Sequence, residues 1–202
     1  IADPNAGPPN ALEQIRAAGV RVEIVPGGPS PDSVVAQILA IGRLVGREPQ
    51  ARALADSLQA QLRRAEALID TTQRPRVLFV QAQAPGVTGL AGHGTNADAF
   101  IRLAGGENVM ASTEGYKPMT PESVADAAPD VIVLTERTLG QAGGLDTFLG
   151  QPGVAQTAAA RARQVVVVPD AAMNFGPSLG QAVLNLAARL RGITGGAAPP
   201  AR

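Results

Sequence analysis

Three short apolar runs constrain this chain more than any other feature: Val77-Leu78-Phe79-Val80, Val131-Ile132-Val133-Leu134 and Val165-Val166-Val167-Val168. Each has the length of a strand and is too short for a buried helix. None alternates with polar residues, so each is expected to be covered on both faces. Stretches with helical spacing separate them. Strands that alternate with helices imply an α/β fold built on a mostly parallel, Rossmann-like sheet with helices on both sides. Aromatic residues make up only 2% of the chain against 45% hydrophobic residues, so the core must come from Ala, Val, Leu and Ile. In such sheets ligands sit outside the carboxyl ends of the strands. The loops after Val80, Val109, Leu134 and Val168 are therefore where function is expected.

The helical segments can be placed by their start and stop signals. Asn10 can cap a helix carrying Ala11, Leu12, Ile15 and Ala18 up to Gly19, and Val20 to Val25 then reads as a strand. Pro26-Gly27-Gly28-Pro29-Ser30-Pro31 breaks the chain, and Ser30 or Asp32 opens a helix with Val34, Val35, Ile38, Leu39 and Ile41 on its apolar face, ending near Gly46. A longer helix is predicted from Glu48 to Ile69, with Pro49 in its first turn. It would be roughly 33 Å long, enough to cross between two lobes. Further on, Thr95 or Asn96 can cap a helix over Ala97 to Ala104, and Asn108-Val109-Met110 can form a short strand. Thr120 and Pro121 start another helix, and Leu179 to Leu190 reads as the closing one. Gly195 to Arg202, rich in Gly, Ala and Pro, is expected to be a flexible tail.

Several functions lack the residues they would need. Seventeen basic and seventeen acidic side chains cancel, and no run of Arg or Lys makes a stripe for phosphates, so nucleic acid is not an expected partner. With no cysteine there is no disulfide, thiolate metal site or Cys nucleophile, and the single His precludes a multi-His metal cage. No stretch approaches the roughly 20 apolar residues of a membrane span, and no basic-then-apolar leader is present. There is no G-x-S-x-G elbow, and Gly89-Leu90-Ala91-Gly92-His93-Gly94-Thr95 lacks the Lys of a phosphate-binding loop. The acidic residues are scattered, and spacing picks out no carboxylate pair for acid–base work.

What chemistry remains gathers between Gly92 and Thr135, in Gly92-His93-Gly94-Thr95, Leu103-Ala104-Gly105-Gly106-Glu107-Asn108, Gly115-Tyr116-Lys117-Pro118 and Pro129-Asp130-Val131-Ile132-Val133. This stretch holds the only His and the only Tyr of the chain. Glu122 lies in the first turn of a predicted helix, where the positive end of the dipole alone accounts for a carboxylate.

The order of motifs resembles a known family. From Ala6-Gly7-Pro8-Pro9 and Leu12-Glu13-Gln14-Ile15-Arg16-Ala17-Ala18-Gly19, through the long helix, to Phe175-Gly176-Pro177, the chain is similar to the haem-binding periplasmic proteins of bacterial haem ABC importers. The resemblance covers nearly the whole chain. It implies the class III binding-protein fold, in which one long helix joins two lobes. Residues 1–47 would then be a remnant of the first lobe, 48–73 the connecting helix, 74–194 the second lobe and 195–202 the tail. Family members carry a complete first lobe, with a Gly-Tyr loop whose Tyr ligates haem iron, and that loop has no counterpart here. The implied function is periplasmic capture of haem and its delivery to an ABC permease.

The same resemblance assigns expected roles. His93 would be an axial ligand to haem iron, since neutral imidazole is a common iron ligand and flanking glycines let a loop approach a flat macrocycle. The plain alternative is a His that lines or caps its loop. Tyr116 would line the cleft in preference to ligating as phenolate. Met173, Asn174 and Phe175 would form another wall, or simply pack their loop. Relatives often place an Arg after Phe-Gly-Pro to pair with a haem propionate, whereas this chain has Ser178; Lys117, Arg137 and Arg102 are the candidate substitutes. Glu122 would dock onto Arg residues of the permease. A corrinoid or a ferric siderophore is the alternative cargo, although the aromatic poverty argues against the siderophore. A tetrapyrrole metal chelatase is the alternative of another class, and it would need a carboxylate facing His93. An apolar helix face left without its lobe would favour self-association.

Overall fold

The structure, a computed structural model, describes residues 1–2, 7–8, 10–25 and 27–194. The expected tail at 195–202, Pro26 and part of the Ala6-Gly7-Pro8-Pro9 segment lie outside the described residues.

All three apolar runs are strands. They form the core of one sheet: β1 (Arg76–Ala84), β5 (Val131–Thr135) and β6 (Val165–Val168) run parallel, with Phe79 opposite Val133 and Val133 opposite Val166. β1 is longer than its apolar run, continuing through Gln81-Ala82-Gln83-Ala84 and turning back at Pro85-Gly86 into antiparallel β2 (Val87–Ala91). A three-residue β4 (Tyr116–Pro118) adds to β2, and a two-residue β3 (Glu107–Asn108) lies parallel to the start of β1. The order is β4-β2-β1-β5-β6, so a parallel centre carries an antiparallel edge. This is the α/β architecture expected, with a mixed rather than wholly parallel sheet.

Alternate residues of each strand feed two cores. Val77, Phe79, Val131 and Val133 pack under α2 (Pro31–Leu44), α3 (Glu48–Glu66), α4 (Asn96–Leu103) and α9 (Leu179–Thr194), meeting Val34, Ile38, Leu58, Phe100, Val183 and Leu186. Leu78, Val80, Ile132 and Leu134 face the other way onto Val124 of α5 (Pro121–Ala127), Phe148 of α7 (Leu145–Leu149), Val154 and Ala159 of α8 (Ala158–Arg161). Burial on both faces is why the β1 and β5 runs show no polar alternation; β6, at the edge of the sheet, is only partly covered and leaves Val167 exposed, against the expectation for that run. Each buried side chain contributes about 1.5–3 kcal/mol relative to exposure.

The helix starts follow local capping chemistry. Ser30 caps α2 by accepting from the Ser33 amide at 3.2 Å, with Pro31 at the first position. Thr95 caps α4, and Thr120 caps α5 in a reciprocal box with Ser123. Asn10 precedes α1 (Ala11–Ala17) but makes no capping bond, because its backbone, at φ −97° and ψ 1°, is not in the extended conformation that aims a side chain at the helix amides.

Three expectations are corrected. Val20 to Val25 is not a strand: Ile24 makes one bridge to Ala2, and no described strand lies beside it to extend the ladder. The segment at 108–110 is a strand only over Glu107–Asn108, since the Met110 amide turns back to Asn108 Oδ1 at 3.0 Å. The long helix stops at Glu66, not Ile69, and is about 28 Å long. There the chain tightens, with the Leu68 and Ile69 amides bonding to the carbonyls three residues back. The stretch between β5 and β6 holds α6 (Glu136–Gln141), α7 and α8. Among the described residues no helix is long and apolar enough to cross a membrane.

Candidate functional site

His93 lies in the turn between the end of β2 and Thr95, the cap of α4, and its side chain is exposed. Backbone pairing fixes the turn against the 113–115 loop: the Gly92 amide bonds to Gly115 O at 2.8 Å, the His93 amide to Thr113 O at 2.7 Å, and the Gly115 amide to His93 O at 3.0 Å. This approach explains Gly92, where a Cβ would lie 2.0 Å from Thr113 O. Gly94, at φ +77°, supplies the left-handed residue that reverses the chain into α4. The result is an imidazole held out on a turn whose backbone is pinned from one side.

The same pairing delivers Tyr116. It starts β4 opposite Ala91, two residues beyond Glu114, which bridges to His93. Its ring passes over Gly89, where an added Cβ would be 3.4 Å from Tyr116 Cβ, and its hydroxyl donates to Gln81 Oε1 at 2.6 Å. Burial raises the phenol pKa above 10.0. The proton therefore stays on the hydroxyl at neutral pH, which suits a hydrogen-bonding wall better than a phenolate ligand. Tyr116 and Gln81 share the sheet face of Phe79 and Ala91, the face that α4 covers.

On the far side of α4, Asn96 Nδ2 donates to Met173 O at 2.7 Å, which draws the 3-10 turn Asp170–Asn174 against the start of the helix. Of the three expected wall residues only Asn174 is exposed. Met173 and Phe175 are inward members of the core under α9, and Phe175 adopts a left-handed φ of 46° to end the turn. The structure thus brings the segments of His93, Tyr116 and Asn174 around the N-terminus of α4.

Glu122 is elsewhere. It is exposed in the first turn of α5, which packs on the opposite face of the sheet through Val124. A hollow of about 260 Å³, lined in part by Thr120, Pro121, Gln151 and Pro152, adjoins it.

The basic candidates separate in the same way. Lys117 pairs with Leu90 and so belongs to the face away from Tyr116. Arg102 is engaged by the buried Asp98 at 3.0 Å. Arg137, at the start of α6, stands at the carboxyl ends of the central strands, donating to Ala82 O at 3.0 Å and lying 3.7 Å from Asp170. Among the described residues no group of three or more His, Asp or Glu is placed to hold a metal ion.

Sequence reading missed Gln81, Asp98 and Asn108. The alternation Gln81-Ala82-Gln83-Ala84 carries the period of a strand with one polar face and was the available signal for the first. For Asn108 and Asp98, which the fold brings together from a strand and a helix, no local pattern points to the contact.

The periplasmic binding protein family matches residues 1–172, and the chain belongs to it. Among solved structures, the periplasmic heme-binding protein RhuT of Roseiflexus sp. RS-1, in apo form, is 34% identical with a TM-score of 0.86, covering 95% of this chain and 74% of that one. The periplasmic heme-binding protein BhuT in complex with two hemes is 36% identical, with a TM-score of 0.85 and the same coverage of 95% and 74%. A curated relative, the cobalamin-binding protein of Halobacterium salinarum, is 33% identical over 135 residues, which are 64% of this chain and 36% of that protein. The match therefore spans about a third of the curated relative's length.

Proposed function

We propose that this chain is the haem-capturing component of a bacterial ABC importer, working in the periplasm and handing haem to a membrane permease. The observation that carries the reading is its likeness, over 95% of its length and at 34–36% identity, to proteins described as periplasmic heme-binding. The relatives are binding proteins, which supports a carrier and not a chelatase or other enzyme.

In this reading His93 ligates the iron from an exposed, glycine-flanked turn. Tyr116 lines the ring with its hydroxyl held by Gln81, Asn174 borders the opposite side, and Arg137 is the basic group nearest the strand ends for a propionate. Glu122, on the other face of the sheet, serves the permease and not the ligand. A second reading, cobalamin as cargo, is favoured by the curated Halobacterium relative. Exposed Ile41, Leu44 and Val45 on and just after α2, with Leu54 on α3, support a contact of that surface with further protein, whether another copy or another lobe.

Parallel titrations with haemin and with cobalamin, followed by absorbance, test the reading. The expected result is a saturable Soret shift with haemin that His93→Ala weakens by at least the roughly 10- to 100-fold that losing an outer-shell partner of a metal ligand costs. Tighter binding of cobalamin than of haemin would overturn it.

A further inference from the structure

The buried Asn108 touches three parts of the candidate site at once, although it is itself only 5% exposed. Its Nδ2 donates to Ala91 O at 3.1 Å, immediately before Gly92 and His93, and to Asp98 Oδ1 at 2.9 Å, in the first turn of the helix that follows His93. Its Oδ1 accepts from the Met110 amide at 3.0 Å, where the chain sets out toward Thr113, Gly115 and Tyr116. The backbone of Asn108 is fixed by parallel pairing with Val77 in β1. Asp98 in turn is 2% exposed; its second oxygen meets Arg102 Nη1 at 3.0 Å, and its amide bonds to the capping Thr95 Oγ1 at 3.1 Å.

We propose that Asn108 is a positioning residue for the ligand site, one side chain that holds the entry to the His93 turn, its exit into α4 and the loop leading to Tyr116 in a fixed mutual arrangement. This inference rests on the haem reading and on His93 as iron ligand.

The chemistry favours an amide here. A carboxylate could not donate to Ala91 O and would face the Asp98 carboxylate, and a hydroxyl is too short to span three partners. Only Asn offers two donor hydrogens and an acceptor from one short, rigid side chain. Buried polar groups satisfied in this way rigidify what they join. The His93 turn pairs with the 113–115 loop, whose far end is held where β4 pairs with β2; Asn108 holds its near end at Met110.

The test is a double-mutant cycle on haemin affinity and axial-ligand spectrum, using wild type, His93→Ala, Asn108→Ala and the double variant, with circular dichroism melts of each. Expected are a loss of roughly 10- to 100-fold in Asn108→Ala, a spectrum shifted toward that of His93→Ala, and a double variant no weaker than His93→Ala alone. Additive losses, or an Asn108→Ala spectrum like wild type, would overturn the inference while leaving His93 as ligand. If His93→Ala itself binds haemin like wild type, the ligand reading fails and the inference with it. Because Asn108→Ala removes a buried hub and could unfold, amide hydrogen exchange on the wild type gives an independent reading. The Met110, His93 and Gly115 amides are expected to exchange slowly and as one unit; exchange of Met110 at the rate of an exposed loop sinks the proposal.

Discussion

At the scale of single residues, Tyr116 offers the cleanest handle, since it is the only Tyr in a chain without Trp. Its raised pKa comes from burial, and its bond to Gln81 Oε1 exists only while the phenol keeps its proton. The folded state thus holds this proton more tightly than the unfolded one. The stability tied to it is complete below about pH 10 and is lost as pH rises through the folded value. An alkaline titration read by tyrosinate absorbance should show one transition with its midpoint above 10.0, moving down toward the ordinary value in denaturant. A native midpoint at or below the ordinary value would mean the hydroxyl is open to solvent, and phenolate ligation would return as a live role. His93 was visible in the sequence because a lone His between two glycines has no core-packing reason to be there. Asn108 and Asp98, which bond to the segments flanking its turn, were not, since they meet only after β3 has been laid beside β1.

Elements were legible where pattern and environment agree. The runs of β1 and β5 became strands without alternation because both their faces are covered, whereas the all-Val run of β6 is an edge strand with Val167 exposed; Ser30, Thr95 and Thr120 became caps because each stands in extended backbone before a helical run. The failures share a cause as well: Val20–Val25 has strand composition but no ladder partner among the described residues, and strand pairing is a tertiary fact. The β1–β2 hairpin hid behind its polar glutamines. The helix pair α2 and α3 rests on a contact equally invisible in sequence, for a Cβ at Gly42 would lie 2.3 Å from Ala51 Cβ. Helix propensity alone favours Gly42→Ala by up to about 1 kcal/mol. Two backbone-anchored methyls cannot share that space, and overpacking costs typically about 1–3 kcal/mol. Gly42→Ala should therefore destabilise the fold by a net of about 1 kcal/mol, read as a lower urea midpoint at unchanged slope, with Gly42→Ala/Ala51→Gly restoring most of it. A single variant as stable as wild type would show that α2 and α3 approach less closely than described.

Across the whole molecule, the residues proposed for capture and for delivery lie on opposite sides of the sheet. Tyr116 and Gln81 are on the face that α4 covers, with the His93 turn just beyond the end of β2, while the opposite face carries α5 and, at its exposed start, Glu122. Capture and delivery, if both belong to this protein, can then be separated by mutation. Glu122→Gln removes the charge but keeps the side chain's shape and leaves the Thr120–Ser123 capping box intact, so the stability cost should be limited to the dipole contact of about 0.3–1 kcal/mol. Haemin affinity and spectrum should match wild type, because no described contact links α5 to the His93 turn. Import through a reconstituted permease should slow, and its dependence on salt should flatten, since a rim charge acts mainly on association rate. Glu122→Arg should slow import further by presenting like charge to a basic surface. Equal import rates and salt dependence for all three proteins would remove Glu122 from delivery and leave it as a helix-dipole residue, whereas a fall in haemin affinity would show that the two faces are coupled after all.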